Sequence, residues 1–193
     1  MTRQNIFVLL VAVAMSGCTI SHIPVGGSYS IREAHAISWE SGGGSRELYF
    51  KKPSGWRVQV WGYVGAVQAK DNVAVFMGNT QPGKEEHSEG FFAVRDGGPL
   101  LEITQPLLAY KAEKEGLDVP SYMGLCIYDY YLKKLPDGFE LECSQHGNNQ
   151  PEIYIPVTWE ELSVIMERVK AKGKLQKDRS GKSYLQVEYT PKQ

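Results

Sequence analysis

The chain predicts an α+β fold, a mainly antiparallel β sandwich or barrel with one helix near the C-terminus and a second, weaker helix before it. Three observations predict it. Short runs rich in Val, Ile, Tyr and Phe recur along the chain with turn residues between them. One stretch after residue 157 changes from strand spacing to helical spacing behind a capping signal. The 193 residues, 42% hydrophobic and 22% charged, have the make-up of an ordinary globule with enough chain to bury a core.

Taken in order, ELYFK (47–51) alternates, Pro53-Ser54-Gly55 turns, and WRVQVWGYVG (56–65) alternates as one long strand. On that strand Trp56, Val58, Val60, Gly62 and Val64 share one face, apolar enough for the core. Arg57, Gln59, Trp61 and Tyr63 share the other and form the candidate binding surface, because large rings beside polar groups are enriched at binding sites. NVAVFMG (72–78) is apolar on both faces and reads as a buried strand, and GFFAVRD (90–96) follows. The spacing then predicts a helix over 105–115, with Thr104 as its cap and Pro106 in its first turn. LCIYDYYLKKL (125–135) and FELEC (139–143) flank Pro136-Asp137-Gly138, a hairpin signal. In CIYDYY, Tyr128, Tyr130 and Leu132 share the core face with Cys126, and Asp129, Tyr131 and Lys133 lie opposite. After EIYIPV (152–157), Thr158 and Glu161 make a capping box, and Leu162, Ile165, Met166 and Val169 fall on one helical face. Lys170 and Lys172 suit the negative helix end, Gly173 stops it, and SYLQVEY (183–189) is the last strand. The run WRVQVWGYVG also resembles the first strand of OB-fold-like barrels, which implies the barrel alternative.

The N-terminus reads differently. Met1 to Asn5 is polar with one positive charge, Ile6 to Met15 is apolar throughout, and the small pair Ser16-Gly17 follows. Ten residues of helix reach about 15 Å against the ~30 Å of a bilayer core, so this is a cleavable signal peptide rather than a span. Met15-Ser16-Gly17-Cys18 resembles the lipobox of bacterial lipoproteins, with Met15 where that family more often has Leu. The resemblance implies cleavage before Cys18 and acylation of its thiol. Several acyl chains hold where a single one binds reversibly. Thr19, which is not Asp, implies the outer membrane by that family's sorting rule. The expected organisation is a signal peptide over 1–17, the lipidated cysteine and a flexible tether over 18–28, and one globular domain over 29–193. SWESGGGSRE (38–47) is a further flexible loop.

Several functions are disfavoured. A formal charge of −1 lacks the basic excess of a nucleic-acid surface. His22, His35, His87 and His146 stand without metal-ligand spacing, and KEEHSEG (84–90) reads as a solvated loop, so no metal and no cofactor are expected. The GKS at 181–183 lacks the first glycine of a phosphate loop and leads into a strand. No G-x-S-x-G elbow is present. The basic run KAKGKLQKDRSGK (170–182) reads as a solvated helix end and loop, with anionic envelope surfaces as the alternative. Cys126 and Cys143 could pair in an oxidising compartment. If Leu135 faces Phe139, however, Cys143 lies opposite Tyr131. Cys126 then stands about 16 Å further along at ~3.3 Å per residue, beyond the ~7 Å a disulfide allows. A bridge needs the chain to bend back, and two buried thiols are the alternative.

The expected function is a lipid-anchored, non-catalytic module of the cell envelope. It meets the membrane through Cys18 and an envelope protein or polymer through Arg57, Gln59, Trp61 and Tyr63. A small envelope hydrolase, using dispersed acids or Cys143 with His146, is one alternative, and a lipid-anchored inhibitor or immunity protein is another.

Overall fold

A computed structural model describes residues 22–33, 46–60, 64–79, 89–117, 129–144, 153–177 and 183–187. Among these residues the strands form three sheets. The first is antiparallel and runs in sequence order through β1 (Ile23–Gly26), β2 (Tyr29–Glu33), β3 (Arg46–Lys52) and β4 (Gly55–Val60). The second contains β5 (Val64–Lys70), β6 (Val73–Asn79), β7 (Glu89–Arg95), β8 (Leu100–Glu102), β12 (Lys174–Lys177) and β13 (Ser183–Gln186), in the order β12-β13-β8-β7-β6-β5. Its pairings are antiparallel except where β13 runs parallel to β8. The third is antiparallel, in the order β11-β10-β9, from β9 (Asp129–Leu135), β10 (Gly138–Ser144) and β11 (Ile153–Thr158). The helices are α1 (Thr104–Glu115) and α2 (Trp159–Lys172). The expected α+β class, mainly antiparallel with a C-terminal helix, is the observed one.

The second sheet is central, and strand alternation explains why. Val75, Phe91, Ala93 and Leu101 point to one side, where they pack with Leu107, Leu108 and Ala112 of α1, the predicted face of α2, and Leu132, Phe139, Leu141, Ile155 and Val157 of the third sheet. Their sequence neighbours Ala74, Phe76, Phe92 and Val94 point the other way, against Tyr29, Leu48, Ile31 and Phe50 of the first sheet. The doubly apolar run at 72–78 is thus buried on both faces, as expected.

The turns follow local chemistry. Arg95-Asp96-Gly97-Gly98 has positive φ at both central residues (55° and 64°) and a Gly98 N–H to Arg95 C=O bond of 2.8 Å, a type I′ turn. The capping box forms as expected. The Thr158 hydroxyl accepts from the Glu161 N–H at 3.1 Å, and the Glu161 carboxylate accepts from the Thr158 N–H at 2.9 Å. Leu162, Ile165, Met166 and Val169 are all buried.

Five expectations need correction. The run 56–65 does not stay in one sheet: β4 pairs in the first sheet up to Val60, β5 pairs in the second from Val64, and residues 61–63 lie outside the described residues. The proposed tether over 18–28 already contains β1, because Gly26-Gly27 turns the chain into a hairpin with β2. Gly27 has φ +49°, and a side chain there would collide with the Asp71 carbonyl. The β9–β10 hairpin is one residue tighter than expected. Leu135 pairs with Gly138, so Cys143 lies opposite Tyr130 rather than Tyr131. Thr104 does not cap α1, whose N-cap is Ile103. The Thr104 hydroxyl instead accepts from the Phe91 N–H at 2.9 Å, serving the β7 edge. Lastly, the basic run after residue 170 continues as strand β12 rather than as a loop.

Candidate functional site: the outer face of the first sheet

Alternation along β3 sends Leu48 and Phe50 toward the central sheet and Glu47, Tyr49 and Lys51 away from it. The antiparallel register then builds the outer face. Lys51 pairs with Trp56 and Tyr49 with Val58 on β4, while Ser30 pairs with Tyr49 and Arg32 with Glu47 on β2. His22, just before β1, lays its ring over this face. It stacks on Trp56 with centroids 4.9 Å apart at 17° and meets Tyr49 edge-on at 4.6 Å and 86°. Its Nδ1 is 3.0 Å from the Ser30 hydroxyl. The Lys51 ammonium lies 5.9 Å from the Trp56 ring centroid, within cation–π range. The Tyr49 hydroxyl donates to the Glu47 carboxylate. Burial, reinforced by that bond and only partly countered by Arg32, pushes the Tyr49 phenol above its ordinary value, so it stays a neutral donor. With Tyr49 buried beneath them, the half-buried His22 and Trp56 rings, flanked by Lys51 and Arg32, can meet a flat or apolar group while the cations meet an anion.

The expected face assignment is reversed here. Trp56 and Val58, expected in the core, lie on the outer face, and Arg57 and Gln59 lie on the side of the central sheet. Arg57 pairs with Phe50 and is exposed, and Gln59 donates from Nε2 to the Gly98 carbonyl at 2.8 Å, tying β4 to the β7–β8 turn. Trp61 and Tyr63 lie outside the described residues, as do Cys18, Cys126, the Cys143 side chain and His146, and with them the expected disulfide and thiol pair. The site residues missed in sequence were His22, Tyr49 and Lys51. The available signal was the Gly26-Gly27 turn, which makes a hairpin of IPVGGSYSI and brings His22 beside the sheet.

A second polar cluster joins the helices. Glu161 accepts from the Lys111 ammonium with both oxygens at 2.8 Å and from Lys114 at 2.7 Å, in addition to the Thr158 N–H. Burial opposes its ionisation, but these donors outweigh it and hold the carboxyl at about 2. With its donors supplied by α1 and its own cap, this carboxylate is a helix clamp. Glu102, on β8, is pushed the other way by burial, against one hydrogen-bonding residue, Thr104, whose N–H it accepts at 2.9 Å. Among the described residues no three His, Cys, Asp or Glu side chains gather as a metal site, and no helix is long and apolar enough to cross a membrane.

The chain matches no family model, no curated protein and no solved structure.

Proposed function

We propose that this chain is a lipid-anchored protein of the bacterial cell envelope, acylated at Cys18, and that its domain is a non-catalytic interaction module working through the outer face of the first sheet. The observation that carries the reading is the His22–Tyr49–Trp56 ring cluster with Lys51 and Arg32 beside it, whose His22 stands only four residues after Cys18. The lipobox-like Met15-Ser16-Gly17-Cys18 supports the anchor, and Thr19 supports the outer membrane as its site. The face presents stacking surface and positive charge together, which suits an envelope component with apolar or ring surface and acidic groups.

The test has two readouts on cells making the full chain. Mass spectrometry of the mature N-terminus should find it at Cys18 with acyl chains attached, and an N-terminus elsewhere removes the anchor. A photo-reactive residue in place of Trp56 should give a discrete adduct with an envelope component. Crosslinks confined to the domain itself would remove the outer face as its contact surface.

A further inference from the structure

The partner of the outer face can be named by class from where the chain enters it. His22 touches Ser30 on β2, Tyr49 on β3 and Trp56 on β4, so the residue four positions after Cys18 lies on the outer face of the sheet. Four Cα steps from Cys18 to His22 reach at most about 14 Å. The head-group layer of one leaflet takes up roughly 5–8 Å of that distance. A domain anchored at Cys18 therefore keeps this face within about one head-group thickness of the lipid surface.

The face is suited to that position. Trp56 is an amphipathic ring of the kind enriched at membrane–water boundaries, and it is half-buried rather than enclosed. Lys51 is exposed on the same face. The charge is also uneven. The outer face carries Arg32 and Lys51 against Glu47, in a chain whose formal charge is −1. An anionic leaflet attracts this face and repels the more acidic remainder, which orients the domain.

We propose that the outer face of the first sheet docks on the phosphate-bearing head groups of the anionic leaflet that holds the anchor, with Trp56 at the head-group level and Lys51 and Arg32 on lipid phosphates. This rests on acylation of Cys18, deepens the reading above, and assigns the ligand of that face. α1, α2 and the third sheet then belong to the opposite side of the central sheet, turned away from the lipid.

The acylated full chain, reconstituted into phosphatidylglycerol-containing vesicles with a nitroxide head-group lipid, tests it by tryptophan quenching. In a W39F W61F background, which leaves Trp56 and Trp159 as the emitters, quenching should be strong, W56F should lose the greater part of it while keeping the ring stack, and Lys51→Glu should weaken it. Replacing phosphatidylglycerol by phosphatidylcholine, or adding salt, should weaken it as well. If W56F is quenched as strongly as the parent, or phosphatidylcholine serves equally, head-group docking is overturned and the anchor stands, provided the N-terminal mass shows acyl chains. If Cys18 carries none, the anchor and the docking fall together.

Discussion

Two buried carboxyls give the molecule opposite responses to acid. The side chains of Glu161 and Lys111 are only 9% and 8% exposed, so removing one charge strands the other in a place with little water. Glu161→Ala should cost about 3–5 kcal/mol in denaturant unfolding, whereas E161L combined with K111M should recover most of that loss, because a packed apolar pair replaces a buried ion pair at little cost. The folded-state value of about 2 lies below the ordinary 4.5. Glu161 therefore stabilises the fold above about pH 4.5, and that contribution, on the order of 3 kcal/mol, drains away as the pH falls toward 2. Glu102 has the reverse sign. Its value is raised by burial, so the folded state favours its protonated form, and the cost of burying it appears as pH rises above 4.5. Glu102→Gln keeps an oxygen for the Thr104 N–H and removes that cost. Its unfolding midpoint should exceed the parent's at pH 7 and converge with it below about pH 4.5, giving a steeper acid limb.

At the scale of elements, stops and turns decide the outcome. Gly138 pairs with Leu135 on one side and Thr158 on the other, and a side chain there would run into the Val157 carbonyl. Gly138→Ala should cost ~1–3 kcal/mol or more and strip hydrogen-exchange protection from β11, while the exposed Lys134→Ala on β9 should stay within about 0.5 kcal/mol. The elements that could be read in sequence are those whose signals are local. Thr158, Glu161 and the 162–169 spacing specify α2 from within one segment, and so does the doubly apolar β6. What escaped depends on a partner elsewhere in the chain. Alternation alone places Trp56 and Arg57 on opposite faces but does not say which face meets the core. That choice is made by β3, where Leu48 and Phe50 turn inward and carry the register with them. The change of sheet between Val60 and Val64 is hidden for the same reason, since valine suits both sheets. Short β8 and β12 carry too few residues to show a period. The faces of β4 were therefore not legible: Trp56 and Val58 turn outward where core was expected, and Arg57 and Gln59 turn toward the central sheet, while Trp61 and Tyr63 lie outside the described residues.

For the whole molecule, the central question is whether two cores behave as one. Phe91 and Phe92 are neighbours on β7, yet Phe91 packs with the helices and the third sheet, while Phe92 stacks on Phe76 at 5.7 Å beneath the first sheet. Every interior strand of the central sheet supplies both sides in this way, so loosening one face moves the backbone that shapes the other. Phe91→Ala and Phe92→Ala should each cost about 3–5 kcal/mol. Both should shift one shared transition, followed alike by far-UV circular dichroism and, in a W39F W61F background, by fluorescence from Trp56 on the outer sheet and Trp159 at the start of α2. In that case the face over the anchor is as stable as the rest of the molecule. If F92A instead melts the Trp56 environment at a lower denaturant concentration than the helices, the first sheet is a separate unit on the central sheet, and its outer face can open without unfolding the remainder. The alternation of β6 and β7 favours the first outcome, because no backbone segment of either strand belongs to one core alone.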